Sequence, residues 1–164
     1  MLIGNKIIFL DIDGVLNVIP QGRDKYGGIF HQHFVDNLRR IIDETGAKIV
    51  ISSSWRSDGI ETMRNMWKDR NLPGEVVDVT PYLRSKLWEK EDLGRGDEIQ
   101  WWLDRHPEIT GYVIVDDDYF DILPHQLPNL VRTSGNEHHP DCIDIGYGLT
   151  NECTANVIQV LNGK

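Results

Sequence analysis

No apolar run in the sequence approaches the ~20 residues that a bilayer-spanning helix requires, so no membrane span is expected. Cysteine is scarce. Cys142 and Cys153 are the only two among 164 residues, too few for a disulfide framework, which makes a reducing cytoplasm the expected setting. Positive charge is also in deficit, with 17 Lys and Arg against 26 Asp and Glu and a net charge of −9. Such a chain has no general attraction to nucleic acid or to anionic membrane. Arg23, Lys25, Arg39, Arg40, Arg56 and Arg95 still leave room for a local basic patch. There is no internal repeat, low-complexity tract or linker, and one domain over residues 1–164 is expected, large enough to bury a real core. The opening MLIGNKIIFLDIDG reads as a buried strand entering an acidic site rather than as a signal peptide.

Short apolar runs alternate with segments of helical period, the pattern of βαβ units around a parallel sheet. Strands are expected at Lys6–Leu10, Lys48–Ile51, residues 75–79, residues 112–115 and, shorter, Leu130–Arg132. Phe34, Leu38, Ile41 and Ile42 mark a first helix that Gly46 ends, and Ile60, Met63 and Trp67 mark a second. Ile99, Trp102 and Leu103 mark a third, with Asp97 near its start and Pro107 beyond its end. Thr150 is placed to cap a last helix carrying Val157, Ile158 and Leu161. Residues 17–28, 82–94 and 134–148 are rich in Gly, Pro and charge and read as surface loops.

The polar residues fall at the ends of these strands. The first strand runs into Asp11-Ile12-Asp13-Gly14-Val15-Leu16-Asn17, the second into Ser52-Ser53-Ser54-Trp55-Arg56, and the fourth into Asp116-Asp117-Asp118. An open parallel sheet binds ligands at the carboxyl ends of its strands, near the switch in strand order. Several carboxylates delivered to one edge repel one another unless a cation is present, and an all-oxygen set suits Mg²⁺. Asp11 and Asp13 alternate along an extended backbone, which lets one attack phosphorus while the other protonates the leaving oxygen. Gly14 permits the tight turn after them.

DIDGVLN after a buried strand resembles the first motif of the haloacid dehalogenase (HAD) superfamily of aspartate-nucleophile phosphatases. IVISSSW resembles its second motif, and VIVDDD its fourth. The resemblance implies a Rossmann-like α/β fold with a central parallel sheet flanked by helices. It also implies a Mg²⁺-dependent phosphomonoester hydrolase that forms an aspartyl-phosphate on Asp11, with Asp13 as general acid and then base. Mg²⁺ would be held by Asp11, the Asp13 carbonyl and the acids of the fourth motif, with Asp117 direct and Asp116 acting through water. Ser52 would hydrogen-bond the phosphoryl group, and Ser53 and Arg56 are further candidates for substrate contact. The family's third motif is a lysine. Here Arg95, in GRGDEI, is the candidate, with Lys86 and Lys90 as rivals, and an arginine would offer a fork where lysine offers a point charge. The gaps between Asp11 and Ser52, and between Ser52 and Arg95, are too short for a large lid, so a capless member with an open site is expected. SSSWR, RGDEI, the triple acid and GLT (residues 148–150) resemble a subgroup whose relatives include HAD domains of nucleic-acid repair proteins.

Other readings stand beside these. Trp55 is either core or a flank of the substrate; Arg56 is either a surface ion pair or a phosphate contact. Trp101 and Trp102 follow helical spacing and read as packing. His138, His139 and Cys142, with Cys153, match no common zinc spacing, and adjacent histidines usually point apart, so they read as loop residues. A phospho-acceptor receiver module would carry its paired acids and its lone aspartate in a different strand order. A catalytically weak phosphate-binding protein on the same fold is disfavoured by the two intact aspartates. The substrate is a phosphorylated small molecule or a nucleic-acid end, and neither it nor the oligomeric state is legible in the residues.

Overall fold

A computed structural model describes residues 5–18, 22–83, 93–134 and 147–163. Five strands form one parallel sheet: β1 (Lys6–Leu10), β4 (Lys48–Ile51), β5 (Val76–Val79), β6 (Gly111–Asp116) and β7 (Leu130–Arg132). Its order is β5-β4-β1-β6-β7. The chain builds outward from β1 to β4 and β5, then crosses back to add β6 and β7 on the other side. The order therefore reverses beside β1, where a doubly wound sheet opens its ligand crevice.

Alternation along the strands divides the core in two. Ile8 and Leu10 join the larger cluster, which α1 (Gln32–Thr45), α2 (Ile60–Asp69) and α4 (Asn151–Asn162) cover with Phe34, Leu38, Met66, Val157 and Leu161. Ile7 and Phe9 point the other way, into a cluster with Ile99 and Trp102 of α3 (Arg95–Asp104). Burying a side chain of this size contributes roughly 1.5–3 kcal/mol, so both faces of the sheet are held by helices. Gly46 closes α1, and the Thr150 hydroxyl accepts from Cys153 N at 3.1 Å to cap α4.

Three details differ from expectation. Within residues 17–28, read as loop, Arg23–Asp24 (β2) and Gly27–Gly28 (β3) pair as a small antiparallel hairpin. Strand β6 runs one residue further than expected and ends on Asp116 itself. Trp101 and Trp102 separate: Trp102 is buried, edge-on to Phe9, whereas Trp101 faces outward under the Arg105 guanidinium. Successive helical residues lie about 100° apart, so both could not share the inner stripe. None of the described connections carries a cap domain, and no described helix is long and apolar enough to cross a membrane.

Candidate active site

The parallel ladder continues one residue beyond the strands. Thr80 N donates to Ile51 O, Ser52 N to Leu10 O and Asp11 N to Val115 O, each at 3.0 Å, and Thr133 N donates to Asp116 O at 2.9 Å. Thr80, Ser52, Asp11, Asp116 and Thr133 thus form one row along the carboxyl edge of the sheet, and all five are buried. A buried polar row is costly unless it is bonded or serves a ligand.

Its centre is a carboxylate cluster. Asp11, Asp116 and Asp117 each offer an oxygen, and these atoms lie within 4.8 Å of one another. Asp11 Oδ1 accepts from Ile12 N at 2.9 Å, and Asp116 Oδ1 accepts from Asp118 N at 3.0 Å. Asp117 is seated by Gly14, which has φ +80 and whose absent Cβ would lie 2.3 Å from Asp117 Oδ2. Only glycine permits both that turn and that approach. Burial, and then repulsion by Asp116, pushes the Asp11 carboxyl up to about 8. The same two causes raise Asp117 to about 6.

Arg95, at the first turn of α3, is the nearby cation. Its Nη1 lies 2.6 Å from Asp116 Oδ2 and 3.3 Å from Asp11 Oδ2. Burial opposes its charge, but Asp116 and Asp11 outweigh burial and raise its pKa. Arg95 N donates to Asp121 Oδ2 at 3.0 Å, which fixes the start of the helix at the cleft. Among the described residues one guanidinium faces three acids, which leaves the cluster short of positive charge. Clustered hard oxygen donors with that deficit fit a divalent cation. Three buried polar side-chain atoms among the described residues lack hydrogen-bond partners: Asn17 Oδ1, an acceptor, and two donors, Ser52 Oγ and Arg95 Nε. Orphaned buried donors are rare, and both belong to residues bordering the cluster.

Asp13 takes a separate position. Its Oδ1 accepts from Asn17 Nδ2 at 2.8 Å and from Trp55 Nε1 at 2.9 Å. Trp55 is in turn packed by Phe30 at 5.5 Å between ring centroids and by Gly27 of the hairpin, where φ is +127 and a Cβ would sit 3.2 Å from the indole. Asp13 lines the same cleft as the cluster, a space of about 260 Å³ bordered also by Ser54, Asp118 and Asp121.

Asp11, Asp13, Arg95, Asp116 and Asp117 are thus brought to one cleft, with Ser52 beside Asp11 in the ladder. Ser53 and Arg56 are not among the residues lining it. Ser53 caps the 3₁₀ turn Ser54–Asp58, accepting from Trp55 N at 3.2 Å. Arg56 is buried beneath Tyr82, its guanidinium donating to Thr80 O, Ser53 O, Pro81 O and Glu98 Oε1. These bonds anchor the segment after β4 to α3, and the ion pair they include is buried, not the surface pair that is one of the two readings of Arg56. Lys86, Lys90, His138, His139 and Cys142 lie outside the described residues. The sequence did not single out Asn17 or Asp121, and left Trp55 undecided. The one available signal was the position of Asn17 and Trp55 inside the two motif segments.

A family model describing the HAD domain in Swiss Army Knife RNA repair proteins matches residues 7–137. The match covers most of the chain, and the chain belongs to that family. Comparisons with curated proteins and with solved structures give no match.

Proposed function

We propose that this HAD-domain chain is a Mg²⁺-dependent phosphatase acting on phosphorylated nucleic-acid ends, through a covalent intermediate on Asp11. The observation that carries the reading is the juxtaposition of buried Asp11 and Asp116 and half-buried Asp117 beside the orphaned Ser52 hydroxyl at the switch in strand order. Asp11, Asp116 and Asp117, with the Asp13 carbonyl, would hold the ion. When bound, Mg²⁺ neutralises phosphate charge and favours ionised carboxylates in the cluster.

The chain's own groups supply the rest. The Asp11 carboxylate attacks phosphorus as the bond to the leaving oxygen breaks, and Asp13 delivers a proton to that oxygen. Asp13 then takes a proton from the water that attacks phosphorus, releasing inorganic phosphate and regenerating Asp11. Ser52 Oγ and Arg95 Nε offer donors to the phosphoryl oxygens, and their lack of partners supports that role. Trp55 and Asn17 hold Asp13 in place throughout.

The substrate class rests on two supports. The family is described by its occurrence in RNA repair proteins, and no cap among the described residues encloses the cleft around a small metabolite. An open site has few remote groups with which to position a small substrate. Turnover of an aryl phosphate, a phosphometabolite panel, a phosphopeptide and terminally phosphorylated oligonucleotides tests the reading. The expected result is Mg²⁺-dependent release of phosphate, highest in kcat/KM on the oligonucleotides, with Asp11→Asn reduced by several orders of magnitude. Full activity in Asp11→Asn would overturn the mechanism. A small metabolite preferred a hundredfold would overturn the substrate class.

A further inference from the structure

Phe120 is 78% exposed, the most exposed of the large apolar side chains among the described residues. It is nonetheless held in place. Asp118 Oδ1 accepts from both Tyr119 N at 2.7 Å and Phe120 N at 3.1 Å, which folds the segment after β6 into a tight turn. The Tyr119 and Phe120 rings stack, with centroids 4.4 Å apart and planes 28° apart. The Arg132 guanidinium also packs on Tyr119, 4.4 Å from its centroid, while Arg132 Nε donates to Asp117 O at 3.0 Å. The stack is therefore tied to the backbone of an acid of the carboxylate cluster. Asp118 and Asp121, which flank the two aromatic residues in sequence, both line the cleft.

We infer that the Tyr119–Phe120 stack is a platform for the terminal nucleobase of the phosphorylated end whose phosphate enters the cleft, an inference that rests on the phosphatase reading above. Charge decides which part of a nucleic acid this rim can hold. Six aspartates border the cleft, and Arg95 is engaged by two of them. A sugar-phosphate backbone would be repelled, whereas a base presents an uncharged π-face to an aromatic ring. Base stacking on an aromatic side chain is tolerant of sequence, which suits an enzyme that must accept any end, and two uncharged rings offer no ion pair for salt to screen. Here the turn, the Arg132 guanidinium and the hydrogen bonds fix the position of the exposed rings instead of burying them.

The experiment compares an oligonucleotide carrying a terminal phosphate on a normal nucleotide with one carrying it on an abasic residue. KM and kcat are read with Mg²⁺, and Kd for the same two molecules is read in chelator at two salt concentrations. Wild type should favour the base-bearing end by roughly five- to a hundredfold in KM and Kd, the range of one base–aromatic stack. Phe120→Ala should abolish that preference at both salt concentrations, Phe120→Trp should keep it, and neither should change turnover of a small alkyl phosphate, which has no ring to stack. If wild type shows no difference between the two ends, or if Phe120→Ala keeps the difference, the platform is excluded while the phosphatase reading stands. A base preference in Kd that depends on Phe120, in a protein that hydrolyses nothing, would keep the platform and exclude the phosphatase. A Phe120 dependence seen only with a phosphopeptide would overturn the inference in favour of a protein partner.

Discussion

Trp55 Nε1 lies 2.9 Å from Asp13 Oδ1, linking the segment after β4 to the second aspartate of the first motif. Asn17 Nδ2 donates to the same oxygen, so one carboxylate oxygen is occupied by two donors. A residue that must give and then take a proton needs a fixed orientation more than it needs a particular neighbour.

Trp55→Phe keeps an aromatic ring against Phe30 and Gly27 but removes the N–H. A hydrogen bond to a charged group contributes about 1.5–3 kcal/mol, equivalent to a tenfold loss or more where proton delivery limits the rate. The variant should lose activity mainly on alkyl phosphates, whose leaving group requires protonation, and little on a nitrophenyl phosphate. The ratio of kcat on the two substrates checks this. An equal fall on both would mean that Trp55 supports the cleft without orienting Asp13.

Gly14 makes the second prediction. Gly14→Ala forces a Cβ into a position 2.3 Å from Asp117 Oδ2 at φ +80, so Asp117 must move. The left-handed backbone itself costs roughly 1–2 kcal/mol for alanine, a modest loss of stability. The larger effect should fall on the ion: the Mg²⁺ concentration for half-maximal activity should rise at least tenfold, as it should in Asp117→Ala. Asp116→Ala should raise it less. Unchanged Mg²⁺ dependence in Gly14→Ala would mean that the Asp117 carboxylate is not a ligand.

The sequence carried most of this site because the chemistry sits on the ends of buried strands. An apolar run ending in DID, another in SSS and another in DDD state both the strand and the edge it reaches. The hairpin at Arg23–Asp24 and Gly27–Gly28 was not legible, because strands of two residues have no periodicity. The fate of Arg56 was not legible either. Its position after a phosphate-binding motif invites an anion, yet what captures it is Glu98, on a helix 42 positions further on. Tertiary pairing of that kind leaves no local trace. Trp55 illustrates both limits: its motif placed it near the site, but only the turn Ser54–Asp58 aims its indole nitrogen at Asp13.

The Arg56–Glu98 pair, at 3.0 Å with side chains 1% and 0% exposed, makes the third prediction. Removing one partner of a buried ion pair typically costs about 3–5 kcal/mol. Glu98→Ala and Arg56→Ala should therefore both lower the thermal midpoint sharply. KM measured well below that midpoint should stay within about twofold, an effect of well under 1 kcal/mol. A raised KM with an unchanged midpoint in Arg56→Ala would restore Arg56 as a substrate contact.

The hairpin that flanks Trp55 is fastened by a different arginine, and this gives a pH prediction of definite sign. Arg70 donates to both Asp24 carboxylate oxygens, at 2.6 and 2.9 Å, and to Gly28 O at 2.9 Å and Gly27 O at 3.2 Å. The hydrogen bonds from Arg70 hold the Asp24 carboxyl at about 2, below the ~3.9 of an unfolded chain. A folded pKa below the unfolded one means that the contribution is complete above about pH 4 and is lost as pH falls toward about 2. The Arg70 side chain is nearly buried, but Asp24 still reaches solvent, and a pair screened in that way contributes little, on the order of 1 kcal/mol, or roughly 2–4 °C for a chain of this size. Asp24→Asn should therefore melt a few degrees below wild type at pH 6, and the gap should narrow to well under half of that by pH 2.5. Melting curves of the two proteins at both pH values decide it, because acid unfolding common to both cancels in the difference. A gap that persisted unchanged at pH 2.5 would show that the Asp24 charge does not fasten the hairpin.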